Sequence, residues 1–378
     1  MIQIPLALYI HIPWCAKKCP YCDFNSHPQR GEIPEMAYTT ALTQELVRWQ
    51  SLTADRPLHS IFIGGGTPSL LTPSTYTHLL TTIHNYFPVT PTVEITLEAN
   101  PGTTDLARFA GFREAGINRL SLGIQSFQDD QLKTLGRIHD SKTACTAISH
   151  AKSAGFERFN LDLMYGLPNQ TAEEALHDLQ EAMSFNPPHL SWYHLTLEPN
   201  TYFARFPPSL PTDDTLADIQ SAGEQYLAQQ GFQHYEISAY AKPGFSCQHN
   251  RLYWEFGDYI GIGAGAHGKI THPNGDIIRY MNAKHPKTYL EIAPEATQET
   301  RILTEADIRL EYFLNALRLR EPLPWARFTE RTGLMPHTVT PLLEPCIQAG
   351  LLTYTDTHLS LTTLGDRFVN EVLLRLTP

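Results

Sequence analysis

Three of the chain's six cysteines, Cys15, Cys19 and Cys22, fall within one stretch, LALYIHIPWCAKKCPYCDFNSH at 6–27. Three residues separate the first pair and two the second. Thiolates are soft ligands, and a group of them selects zinc, Cu(I) or an iron–sulfur cluster. A [4Fe–4S] cluster ordinarily takes four cysteines, so three would leave one iron open to a further ligand. Zinc is the simpler alternative, with His11 or His27 as a fourth ligand. A disulfide is disfavoured. The N-terminal apolar run lacks a basic flank and a cleavage site, so the chain is expected to stay in the reducing cytoplasm.

The elements that position these sulfurs can be read outward from them. Leu6 to Ile12 is apolar and β-branched enough for a buried strand, and Pro13 and Pro20 stop the next residues from continuing it. The cysteines therefore belong on a loop at the carboxyl end of a strand. Further strands are predicted in SIFIGGGTP (60–68), VEITLEANP (93–101), RLSLGIQSF (119–127), RFNLDLMYGLP (158–168) and LSWYHLTLEP (190–199). Helical patterns alternate with them, as in Met36–Leu52, Pro73–Phe87, Lys142–Ala154 and Ala172–Met183. Such alternation argues for a parallel sheet with helical crossovers, either an open doubly wound sheet or a barrel. In both, ligands bind at the carboxyl ends of the strands. The polar residues expected there are Glu98, Gln125 and Asp162, with the glycines of GGGTP, where backbone can pass close to a ligand.

The chain has 378 residues, 42% of them hydrophobic, enough for one large α/β domain with an appendage or for two domains. Its formal net charge of −11 argues against a nucleic-acid partner, which would need a basic surface. No apolar run is long enough to span a bilayer. Helices are expected at Glu305–Leu319, Trp325–Thr332 and Val339–Ala349, then a small hairpin and a last helix, a winged-helix-like arrangement. With 8 Arg, no Lys and 9 acidic residues in 301–378, that module is not expected to read DNA.

CxxxCxxC after YIHIP resembles the cluster loop of the radical S-adenosylmethionine (SAM) superfamily. The words YIHIPWC and CPYCDFNSH are similar to one branch of it, the oxygen-independent coproporphyrinogen III dehydrogenases and the related HemW heme chaperones. The resemblance implies an α/β fold: a partial (β/α)6 barrel over 1–235, an extension over 236–300 that covers its open side, and the helical C-terminal domain over 301–378. It implies a [4Fe–4S] cluster on Cys15, Cys19 and Cys22, with SAM on the open iron. Gly65, Gly66 and Thr67 would line the SAM site, Glu98 and Tyr9 would contact SAM, and Tyr21 takes a position often aromatic in relatives. Gln125, Arg137 and Asp162 match in spacing a set that surrounds a second SAM. The plainer readings of the last two are a surface arginine and an aspartate satisfied by backbone N–H groups.

HNRLYW at 249–254 matches a word typical of the HemW group, making His249 a candidate heme ligand beside Tyr253 and Trp254. Cys247 and His267 are nearby alternatives, and an aromatic core with a hydrogen-bonded histidine is the plainer reading. The glycines of 261–268 would let backbone approach a flat ligand. The dehydrogenases carry a fourth cysteine soon after the third, whereas here Cys22 is followed by Asp23 and Phe24. The resemblance therefore implies a heme chaperone delivering heme to respiratory proteins, at the membrane surface where these reside. Oxidative decarboxylation of coproporphyrinogen III is the competing, enzymatic reading, and it is not expected.

Overall fold

The computed structural model describes residues 4–376, apart from 54, 55 and 294. Its centre is a 12-stranded sheet. Strands β1 (Leu6–Ile12), β2 (Leu58–Gly65), β3 (Val89–Ala99), β4 (Arg119–Gln125), β5 (Arg158–Tyr165) and β6 (His189–His194) pair in sequence order and in parallel. The helices Glu35–Thr53, Pro73–Tyr86, Leu106–Glu114, Ser141–Ser153 and Ala172–Ser184 make the crossovers. These are the strand and helix units read from the alternation. β6 continues antiparallel into β8 (Ala239–Ala241), which pairs with β7 (Gln233–Glu236). The sheet does not close, and a partial barrel results.

The strand sequences explain the layering. In β1, Leu6, Leu8, Ile10 and Ile12 are wholly buried under the helices, while Tyr9 and His11 point into the bore. Start signals fix the helices: Asp140 accepts from Thr143 N at 2.8 Å, and Thr171 and Glu174 form a reciprocal capping box.

Past the barrel the chain extends the sheet on the far side of β1. HNRLYW lies in a short helix, Gln248–Trp254. After it, β9 (Asp258–Ile262) joins β1 in parallel on the side away from β2. Strands β10 (His267–Thr271), β11 (Ile277–Asn282) and β12 (Thr297–Ile302) continue outward antiparallel. Residues 258–302 thus widen the sheet beyond β1, and the glycines there serve the sheet itself. A Cβ at Gly261 would strike the His267 backbone, and one at Gly268 the Tyr280 ring.

The C-terminal domain has a second core, Tyr312, Phe313, Phe328 and Leu343 among its buried residues, shared with Phe256 and Ile277 of the extension. Its helices Glu305–Ala316, Trp325–Thr332 and Thr340–Gln348 accompany a three-stranded sheet of Leu323–Pro324, His358–Leu361 and Leu352–Tyr354. No helix of the described residues is long and apolar enough to cross a membrane.

Candidate functional site

The cysteine loop leaves β1 and is tied down on three sides. His27 N donates to Pro13 O and Gln29 N to Cys15 O, at 2.7 and 2.8 Å. Asn25 Nδ2 donates to Ala264 O and Lys284 O, both at 2.9 Å, which fastens the loop to the extension. Phe203 N donates to Pro20 O at 3.0 Å, from the segment after β6. Cys15 is buried and Cys19 and Cys22 are half-buried, all three as free thiols. Burial pushes the Cys15 thiol up.

The two imidazoles that the zinc alternative needs are engaged elsewhere. His11 Nε2 lies 2.8 Å from Asn25 O. A carbonyl only accepts, so Nε2 carries the proton and Nδ1 accepts from Tyr9 OH at 3.0 Å. His27 Nε2 lies 3.2 Å from Asn25 Oδ1. Among the described residues, no three His, Cys, Asp or Glu side chains are grouped to hold a single ion. A cluster differs in spreading its thiolates over separate irons.

A cleft of about 750 Å³ opens in front of the loop, and all three cysteines line it. Tyr21, Gly65, Gly66, Thr67, Glu98, Gln125, Arg137 and Asp162 line the same cleft. These residues come from several different strand ends and loops, brought together by the parallel topology. Gly65 N donates to Glu98 Oε2 at 3.0 Å. Burial pushes the Glu98 carboxyl up to about 8, and the Asp162 charge adds to this. Asp162 is raised too, chiefly by burial, although Ser121 Oγ and Asn160 Nδ2 donate to it at 3.0 and 2.8 Å. Its partners are side chains, not backbone N–H groups. Gln125 holds a left-handed φ of 73° and accepts from Tyr193 OH at 2.6 Å. Arg137 is no surface residue: Nη2 donates to Gly123 O at 2.7 Å and Nη1 lies 3.7 Å from the Cys19 sulfur.

The glycines of GGGTP have a reason the sequence did not disclose. Gly65 sits at φ +119°, and a Cβ there would lie 2.7 Å from the His11 ring and 2.8 Å from Ile12 O. At Gly66 a Cβ would collide with the Trp14 carbonyl. Gly66 N and Thr67 N donate to Ile12 O and Trp14 O, both at 2.7 Å. The close approach is to the chain entering the cysteine loop, and it sets the loop against the β2 end.

The structure does not bring Tyr9 or His249 to the cleft wall. Tyr9 lies within the bore, its ring 6.3 Å from Phe62, and acts on the loop through His11. His249 is 1% exposed, with Nδ1 2.9 Å from Ser60 Oγ and Nε2 2.8 Å from Tyr253 OH. Burial, helped by the Arg119 charge, lowers it to about 3, so the ring is neutral. Its helix is capped by Glu94, whose Oε1 accepts from Gln248 N at 3.0 Å and His249 N at 3.3 Å. His249→Ala is expected to cost about 2–3 kcal/mol, from two lost hydrogen bonds and a buried gap. Denaturant unfolding checks this, and an unchanged midpoint would remove the packing role.

Ser121, Ser191, Tyr193 and Arg318 also line the cleft, unmarked by the sequence, together with Trp254, which the sequence placed beside a heme ligand. Period-two alternation in LSWYHL could have marked Ser191 and Tyr193 as bore-facing once β6 was placed. Nothing local marks Arg318.

The radical SAM superfamily model matches residues 9–182, and the HemN C-terminal domain model matches 303–368. Heme chaperone HemW of Haemophilus influenzae is 50% identical over 98% of this chain and 97% of its own. The chain belongs to the HemW family. Heme chaperone HemW of Escherichia coli is 48% identical over 99% of this chain and 98% of its own. Among solved structures, the radical SAM enzyme coproporphyrinogen III oxidase (HemN) of Escherichia coli superposes with a TM-score of 0.83 at 26% identity, covering 100% of this chain and 91% of that one. The family placement gives the fold its frame, a radical SAM partial barrel with a C-terminal helical domain. The Cys22–Asp23–Phe24 turn puts Phe24 on the cleft wall at 63% exposure.

Proposed function

We propose that the chain is a heme chaperone that carries a [4Fe–4S] cluster on Cys15, Cys19 and Cys22, binds SAM beside it, and passes heme to respiratory hemoproteins from the cytoplasmic side. One observation carries the reading: the three thiols and the residues suited to SAM line a single cleft, in a chain half identical to a named heme chaperone over its whole length. When bound, cluster and SAM together supply one-electron chemistry. The donor set fits them. Three thiols face the cleft, and the Arg137 guanidinium beside Cys19 favours thiolate charge. Glu98 suits a cationic group, and Asp162 suits an amine or ribose hydroxyls. Gln125, Arg137 and Asp162 belong to this one cleft, and a second SAM there is a separate proposal that stoichiometry by calorimetry would test. Tyr9 is assigned to positioning the loop, and Tyr21 to its wall.

Heme ligation by His249 requires Tyr253 to release Nε2. A Soret titration of His249→Ala tests it, and unchanged affinity and band position would exclude that ligand. The competing reading, coproporphyrinogen III dehydrogenase, is favoured by the 0.83 superposition on HemN. Against it stands Phe24 where a further cysteine is expected. The test is anaerobic reconstitution with parallel assays. Hemin binding without conversion of coproporphyrinogen III is the expected result. Protoporphyrinogen at a catalytic rate would overturn the chaperone reading in favour of the enzyme.

A further inference from the structure

The cleft has one wall that does not come from the barrel strands or the cysteine loop. Ser238, Trp254 and Arg318 form it, from three separate segments. Arg318 belongs to the C-terminal domain, just past the helix Glu305–Ala316. Its backbone is fixed by pairing with the barrel's edge: Arg320 N donates to Tyr235 O at 3.1 Å, and Leu319 bridges Glu236. The guanidinium carbon stands 4.9 Å from the centre of the Trp254 ring. That arrangement orients a planar cation without using its N–H donors. Arg301, Arg320 and Arg327 of the same domain each pair with carboxylates. Arg318, among the described residues, has no salt bridge and no side-chain hydrogen bond. The carboxylate that feels its charge, Glu236, is 3% exposed and is pushed up by burial. A guanidinium with free donors on a cleft wall, backed by an indole, is built to receive a carboxylate.

We propose that Arg318, held over Trp254, is a carboxylate-receiving subsite of the cleft and anchors a propionate of a bound tetrapyrrole. The proposal rests on the heme-chaperone reading and gives the C-terminal domain a part in the site. The ligand class comes from the wall: an indole that lines the cleft beside a fork of N–H donors suits a flat apolar ring with an acid at its rim. Arg318 is a binding residue here, and no chemistry is assigned to it.

The test uses full-length, anaerobically reconstituted protein with SAM present. Hemin and hemin dimethyl ester, whose propionates are blocked, are titrated into wild type, Arg318→Ala and Arg318→Lys by the Soret band. Wild type should prefer hemin to the ester. Arg318→Ala should weaken hemin about ten- to a hundredfold, the range for a lost charged hydrogen bond, and leave the ester unchanged. Arg318→Lys should keep part of the preference. Thermal melts establish that the variants fold. If Arg318→Ala retains the wild-type preference, the subsite is overturned while the heme reading stands. If wild type binds both alike, the subsite is overturned whatever the variants do. If wild type binds neither, the heme reading itself fails.

Discussion

Replacing Cys15, Cys19 or Cys22 with serine is expected to leave anaerobically reconstituted protein almost free of iron and sulfide. Wild type should be brown and hold about four of each, as a [4Fe–4S] cluster requires. The loop provides three sulfurs to one cleft, and none is a spare. A serine hydroxyl is a harder and far weaker donor for such a site. The loop's anchors lie in the protein and not in the metal: Asn25 on the extension, His11 under Tyr9, and Lys18 Nζ donating to Phe24 O and Ser26 O at 3.1 and 3.3 Å. The serine variants should therefore stay folded while losing the cluster. Cys145→Ser, far along the chain in the Ser141–Ser153 helix, should retain full iron. Iron and sulfide assays with the visible spectrum decide the matter. Stoichiometric zinc without sulfide, surviving anaerobic reconstitution, would sink the cluster and restore the simpler alternative.

How far the sequence revealed this site depended on what kind of signal each part carries. β1 to β6 were legible because strands buried on both faces read as apolar runs, with helical periods between them. Glu98, Gln125 and Asp162 were legible as a group because parallel topology sends ligands to the carboxyl strand ends. The Gln248–Trp254 helix was not, because Glu94 of a distant strand caps it and its aromatics pack on several sides. The strand order of the extension was not legible for a related reason. The alternation in 258–302 did not tell that β9 pairs with β1, which is a choice made by tertiary packing. Gly65 and Gly66 signal close approach in the sequence, and the neighbour they approach is the chain's own Ile12–Trp14 segment. Arg318 was invisible, since its meaning comes only from the docking of the C-terminal domain on β7.

Glu98→Gln should weaken SAM about ten- to a hundredfold at pH 8 and at the same time stabilise the SAM-free protein there. Both effects come from one cause. Burial first, then the Asp162 charge, move the Glu98 carboxyl from an ordinary 4.5 to about 8. Between those values the unfolded chain is ionised at this residue and the folded protein is protonated. The unfolded state binds fewer protons, so this residue's contribution makes stability fall as pH rises from about 4.5 to about 8, then level off. Glutamine removes that penalty, and the melting temperature at pH 8.5 should rise about 1 °C for each ~1 kcal/mol recovered, the response of a 378-residue chain. SAM carries a sulfonium and an amine, so its binding favours ionised Glu98. Below pH 8 binding must therefore release a proton, and wild-type affinity should climb with pH up to about 8 and then flatten. Calorimetry in two buffers of different ionisation heat measures the proton directly. Glu98→Gln, run in parallel, reports any titration of the ligand itself and should release none from this site. Wild-type affinity that is level from about pH 6 to 8, with no proton released, would remove Glu98 from the SAM site. A lower melting temperature for Glu98→Gln at about pH 8.5 would show instead that the Gly65 hydrogen bond outweighs the buried charge.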